Sequence, residues 1–262
     1  MKYLSLGSGS MGFFIELGVL SKLDMSLVEE ISGASAGALL ASLFMLARGD
    51  CPKILDYALT VPLKQMMSLN IKSLLTTYGL VSQTNIRLAF VNAIQTFMNK
   101  DDVTFRELYE HYPKKLHVTA YCIELQRTQY FSVDTTPDES VVDVLCASMA
   151  IPFLVSAVKI GPWTFIDGAV EEHDPCACFL ERPKEDVLRV CVSWSETSSV
   201  VKDYKSYLLN VLKAVLKMRH KYSEFRKIDV TSPGIDLHDF GLSNEDKLKL
   251  VMAGHGHKFP DA

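Results

Sequence analysis

The chain has 262 residues, of which 48% are hydrophobic and 22% charged, and a formal net charge of −4. That composition excludes a disordered chain, and the slight acidity excludes a general nucleic-acid binder. No apolar run approaches the ~20 residues a membrane-spanning helix requires; the longest, residues 37–47, is interrupted by Ser42.

In chain order, residues 3–6 form a short apolar strand that ends in glycines, and Phe14, Leu17, Gly18 and the apolar positions of 20–23 recur with helical spacing. A second short strand covers 27–32. A helix of small and apolar residues follows over 38–48, closed by Gly49-Asp50. Leu63, Met66, Met67, Ile71, Leu74 and Leu75 make a stripe at i, i+3, i+4 spacing, which fits either a core helix or a flap over a site. A further helix spans 86–98, and Thr104 with Glu107 caps a short helical turn. Strands are expected over 117–123 and 129–133, a helix over 140–149 stopped before Pro152, and a hairpin of 157–160 with 163–166 around Gly161-Pro162. A strongly apolar strand covers 187–194, a long helix 204–225, and Ser243 opens a last helix with Asp246 at its capping-box position. Strands alternating with helices predict an α/β fold with a mainly parallel sheet. No repeat or linker interrupts it, so one domain is expected over 1–262.

Six cysteines are present. Cys122 and Cys191 sit in strand-like runs, and Cys176-x-Cys178 is too tight for zinc and lacks a second pair. Reduced thiols, no metal and no secretory leader are the expectation, hence a soluble cytoplasmic protein.

Three motifs carry chemistry. Gly33-Ala34-Ser35-Ala36-Gly37 fits G-x-S-x-G, follows a predicted strand and opens a helix, as a nucleophile elbow requires. The helix behind Ser35 offers free N–H groups to a developing anion. Gly7-Ser8-Gly9-Ser10-Met11-Gly12 also joins a strand to a helix. A dinucleotide site would want an acidic residue after the next strand, but that strand leads into GASAG, so an oxyanion loop fits better. Finally, Asp167-Gly168-Ala169 ends a strand, where an aspartate points into the crevice of an α/β sheet. Of the seven histidines, His238, His255 and His257 have the chain order of an α/β-hydrolase triad, but Ser35 comes too early for that sheet.

Taken together, LSLGSGSMGFFIELGVL, ISGASAGALLASLF, CASMAIPFLVSAVKI and WTFIDGAVEEHDP resemble the patatin-like phospholipase family, with a weaker match at DLHDFGLSNEDKLKLVMAGH. The resemblance implies a three-layer sandwich and a Ser-Asp dyad. Ser35 would be the nucleophile and Asp167 its proton acceptor. Gly7, Ser8 and Gly9 would form the oxyanion loop, with Ala36 as a further donor. No cofactor is implied. The chain departs from the usual loop at Ser8, where a glycine is common, and at Met11, near a position often basic. Hydrolysis of a lipid acyl ester is the leading expectation. Acyl transfer by the same dyad, and lipid binding with negligible turnover, are the alternatives.

Lys213, Lys217 and Lys221 share one face of the helix predicted at 204–225, opposite Leu208, Leu212, Val215 and Leu216. That face fits a solvated surface or a peripheral contact with anionic lipid headgroups.

Overall fold

A computed structural model of the chain describes residues 1–193, 201, 204, 207, 208, 210, 211 and 222–258. Strand alternation organises its centre. In β1 (Tyr3–Leu6), Leu4 and Leu6 enter the main apolar core, while Tyr3 joins a smaller cluster with Phe179, Val187 and Phe225. Ser5, on the same face as Tyr3, donates a hydrogen bond to Pro175 O. The chain returns through α1 (Phe13–Leu20), buried along its whole length, to β2 (Glu30–Ala34), which runs parallel to β1. Then come α2 (Ala36–Leu46), α3 (Cys51–Thr60), α4 (Leu63–Met66), α5 (Ile71–Thr77), β3 (Gly79–Val81), α6 (Gln83–Met98) and α7 (Phe105–His111). The second half contributes β4 (Lys115–Cys122), β5 (Arg127–Phe131), α8 (Val141–Ser148), β6 (Phe153–Val155), β7 (Val158–Ile160) and β8 (Trp163–Asp167). It ends with β9 (Val187–Ser193), β10 (Arg226–Thr231) and α9 (Asn244–Gly256).

The strands form a central sheet in the order β10-β9-β1-β2-β4-β8-β7. From β10 to β4 every pairing is parallel; β8 is antiparallel to β4, and β7 to β8. β5 adds an antiparallel partner to β4, and β3 pairs with β6 in a separate two-stranded ribbon. This is the mostly parallel α/β fold expected. Parallel strands need apolar cover on both faces. Helices α1 and α2 supply it on one side. The other is closed by the segment after β8, where Pro175 O accepts from both Ser5 and Ser32. His117 there meets Glu30 at 3.0 Å and the Phe179 ring edge-on. All six cysteines are unpaired. Among the described residues no helix is long and apolar enough to cross a membrane.

The departures from the sequence reading are local. Gly49-Asp50 does end α2, but Asp50 also caps α3 by accepting the Lys53 N–H at 3.1 Å, with Pro52 in the first turn. The stripe over 63–75 is two helices, because Leu69 bridges to Val81 and Asn70 starts α5 anew as its N-cap. Strands β3, β6 and β10 are additions, and β10 begins where the predicted long helix was to end. Most of that helix, with Lys213, Lys217 and Lys221, lies outside the described residues.

The last helix packs on α1 at the level of the backbone. A Cβ on Gly254 would stand 1.9 Å from Ile15 O, and one on Gly18 would stand 2.0 Å from Val251 O. Neither contact can relax by rotating a side chain. Gly254→Ala should therefore destabilise the protein by about 3 kcal/mol or more, at or above the usual cost of overpacking. Urea unfolding of the variant beside the parent measures it.

Candidate active site

One strand sets the site. Residues Lys115 to Thr119 of β4 pair with β2, and Ala120 to Cys122 pair with β8. Because β5 occupies the other edge of β4 from Val118 to Cys122, β2 and β8 follow one another along the same edge. Ala34 lies opposite Thr119 and Asp167 opposite Ala120. The residue after Ala34 is thus delivered beside the end of β8. Ser35 Oγ donates a 2.7 Å hydrogen bond to Asp167 Oδ2.

Ser35 sits at φ 52, ψ −119, a strained backbone for a residue with a side chain, and it begins α2. The surrounding residues allow no other shape. A Cβ at Gly37 would fall 2.3 Å from Leu6 O, and one at Gly33 2.6 Å from Ala38 N. The Ser35 N–H is held by the buried Ser148 hydroxyl at 3.0 Å. Asp167 is fixed on its other oxygen by the Ala169 N–H at 2.8 Å, and its own N–H donates to Ala150 O.

Asp167 is 4% exposed. Burial pushes its carboxyl up to about 7, against the hydrogen bonds from Ser35 and Ala169, which favour the charged form. Its folded value lies above its unfolded one, so between about 4 and 7 the folded chain holds the extra proton and stability declines as pH rises. At about 1.4 kcal/mol per unit, the ionised carboxylate costs on the order of 4 kcal/mol. In return it is a base that can take a proton near neutral pH.

The glycine loop narrows the expected oxyanion donors. Gly7 N–H donates to Val190 O at 2.9 Å and Ser8 N–H to His173 O at 2.8 Å, so both are turned into the protein. Met11 and Gly12 N–H are taken by Leu237 O and Gly9 O. Gly9 and Ser10 N–H have no hydrogen-bond partner among the described residues. Ala36 opens α2, where N–H groups lie outside the helical ladder. Ser10, Ser35 and Ala36 line one pocket. Gly9, Ser10 and Ala36 therefore carry the N–H groups of this region that have no hydrogen-bond partner among the described residues. Gly12 serves the turn, and Gly168 packs on Thr119, whose O would be 2.4 Å from an added Cβ.

Three contributors were not legible in the motifs: Ser10, Ser148 and His173. His173 is buried, and its Nδ1 lies 2.7 Å from Ser8 Oγ, which anchors the loop and accounts for a serine at that position. The triad candidates lie elsewhere: His255 bonds Ser21, His238 faces Asp236, and His257 follows the end of α9.

The pocket at Ser35 spans about 990 Å³ including its open mouth. Phe13, Phe14, Leu39, Leu43, Ile86 and Phe90 form its depth, and the hydroxyl of Tyr57 is satisfied by Ala89 O at 2.6 Å. Among the described residues no charged side chain lines it. Leu63, Met66 and Met67 of the predicted stripe line it too, whereas Ile71 and Leu75 face outward. The arrangement suits a long apolar substrate with one electrophilic carbon placed against a hydroxyl.

Comparison with known proteins gives the family and the fold. The family model for patatin-like phospholipases matches residues 4–177. Over 183 residues the chain is 28% identical to the protein named Probable lipid hydrolase 463L of Invertebrate iridescent virus 6, covering 66% of this chain and 61% of the viral one. Among solved structures, VipD from Legionella pneumophila superposes with a TM-score of 0.59 at 16% identity, over 97% of this chain and 65% of VipD. The ExoU–SpcU complex of Pseudomonas aeruginosa gives a TM-score of 0.45 at 15% identity, over 98% of this chain and 50% of the other. The VipD likeness concerns fold alone.

If Asp167 is the base for Ser35, the rate of Ser35 labelling by a fluorophosphonate should rise with pH and level off above about 7. In Asp167→Asn the rate should be low and nearly flat across the same range. Mass spectrometry of the intact protein over pH 5 to 9, on the order of two units either side of the carboxyl, reads both.

Proposed function

The chain belongs to the patatin-like phospholipase family, and from that premise we propose that it hydrolyses lipid acyl esters through a covalent intermediate on Ser35. The observation that carries this reading is the 2.7 Å contact of Ser35 Oγ with Asp167 Oδ2 beside an uncharged, apolar pocket. A hydroxyl alone is a weak nucleophile at neutral pH. A carboxylate within hydrogen-bond reach, with its pKa near neutrality, makes it competent.

The acyl chain lies among the apolar residues of the pocket, which places the ester carbon at Ser35. Ser35 Oγ attacks that carbon while its proton passes to Asp167 Oδ2. The negative charge that forms on the carbonyl oxygen is met by the N–H groups of Gly9, Ser10 and Ala36. Collapse breaks the bond to the leaving alcohol, which takes the proton from Asp167. Water then attacks the acyl-enzyme and gives a proton to Asp167; collapse breaks the bond to Ser35 Oγ, which takes that proton back from Asp167, and the fatty acid is released. No cofactor enters these steps.

Ser35→Ala and Asp167→Asn should each lower lipid hydrolysis by about 10³-fold or more, and the double variant should be no worse than either, because the two act as one unit. Products from a panel of phospholipids and neutral glycerides, read by mass spectrometry, give the test and the preferred ester together. Substantial turnover by purified Ser35→Ala would sink the assignment.

A further inference from the structure

A face of exposed apolar side chains adjoins the rim of the pocket. Ile71 is 76% exposed, Leu75 83%, Tyr78 62% and Phe153 59%. Ile71 and Leu75 are four residues apart and share the outer side of α5. Tyr78 ends that helix, and β3 follows it directly; the pairing of β3 with β6 sets Gly79 opposite Phe153. Thus two short elements hold all four side chains together. Neighbouring residues line the pocket at Ser35: Met66 of α4 and Met67 precede α5, and Val155 of β6 lies two residues beyond Phe153. Tyr78 and Phe153 both adopt φ 63, a left-handed backbone that is costly for an aromatic residue.

The charge along this stretch of chain is one-sided. Between Asp56 and Asp101 the chain carries Lys64, Lys72, Arg87 and Lys100 and no acidic residue, although the whole chain is at −4. Arg87 pairs with Asp143 at 2.5 Å and Lys100 with Glu107 at 2.8 Å. Lys64 and Lys72, both exposed, flank the apolar face and make no ion pair among the described residues. Two carboxylates stand nearby: Glu124 borders the shallow recess beside Tyr78 and Phe153 and accepts the Thr164 N–H at 2.8 Å, and Asp239 lies with the Lys64 stem against Gly241.

We propose that Ile71, Leu75, Tyr78 and Phe153, flanked by Lys64 and Lys72, form the surface by which the protein docks on a bilayer bearing anionic lipid headgroups. This rests on the reading of Ser35 as a lipid hydrolase and specifies how the substrate is presented. Aliphatic and aromatic side chains enter the interface, and the two lysines reach back to the headgroups. The mouth of the pocket then opens into the bilayer, and an acyl chain can pass from lipid to Ser35 without crossing water.

The test separates docking from chemistry. Full-length Ser35→Ala protein, which leaves the lipid intact, is sedimented with phosphatidylcholine vesicles with or without phosphatidylglycerol. Ile71→Ser with Leu75→Ser should weaken partition by about tenfold or more, and both positions are too exposed to affect folding. Lys64→Glu with Lys72→Glu should weaken partition to the anionic vesicles by about tenfold at low salt, and the difference should fade near ~1 M salt. With Ser35 restored, both double variants should hydrolyse a monomeric ester at the parent rate. Partition that survives both double substitutions, or absence of partition in every composition, overturns the proposal. Failure of the parent to cleave any ester, with partition behaving as stated, removes the hydrolase reading and leaves the docking face standing.

Discussion

The geometry depends on one register along β4. Ser35 and Asp167 come from strands far apart in sequence, and a 2.7 Å bond between them tolerates no slip in either pairing. Because β2 and β8 abut on the same edge of β4, a one-residue shift of either would turn its terminal side chain to the opposite face of the sheet. The close packing around the junction enforces that register. Gly37 lies against the carbonyl of Leu6, Gly33 against the first turn of α2, and Gly168 against Thr119, each without room for a Cβ. These are backbone-to-backbone contacts, so the three glycines hold the elbow in position as well as permitting its turn.

Burial of Asp167 is the energetic counterpart of that geometry. An apolar surrounding raises its carboxyl to about 7, which works against the folded state once the group ionises. The same surrounding excludes water from the Ser35 hydroxyl and strengthens the pull of oriented N–H groups on an anion. Two hydrogen bonds, from Ser35 and Ala169, keep the carboxylate aimed as it is desolvated. Stability is sacrificed here at one residue, and the large apolar core around α1, α2 and β1 is what makes that tolerable.

The sequence carried the local part of this design well. Gly33 to Gly37 is legible because a strand, a small-residue turn and a helix are contiguous, and Asp167-Gly168-Ala169 because an acid ends a strand. Which N–H groups stay free around the glycine loop was only partly legible, Gly9 and Ala36 being expected and Ser10 not, since the outcome is decided at a distance: Gly7 is claimed by Val190 O and Ser8 by His173 O, far away in the chain. His173 was missed for the same reason, its partner being a serine whose presence looked like a departure from a pattern. Helix α3 was hidden because Gly49-Asp50 read as a stop, whereas Asp50 also begins a helix with Pro52 in its first turn. The stripe over 63–75 has helical spacing throughout, but periodicity does not report that Leu69 leaves it to bridge Val81.

Backbone strain gathers where function does. Arg48, Asn99 and Gln126 have positive φ in ordinary helix ends and turns. Ser10 and Ser35 share that property and line the pocket, while Tyr78, the C-cap of α5, and Phe153 border a second, shallow recess. Each costs on the order of 1–3 kcal/mol, and the compensation differs between them. Ser35 is fixed by Ser148 and Asp167, and Ser10 by a loop tied at Ser8 and Met11. Tyr78 and Phe153 are held by the β3–β6 ribbon, which leaves their rings outside. The first pair lines the pocket beside Asp167. The second leaves apolar surface outward, the surface that the proposed contact with a bilayer would cover.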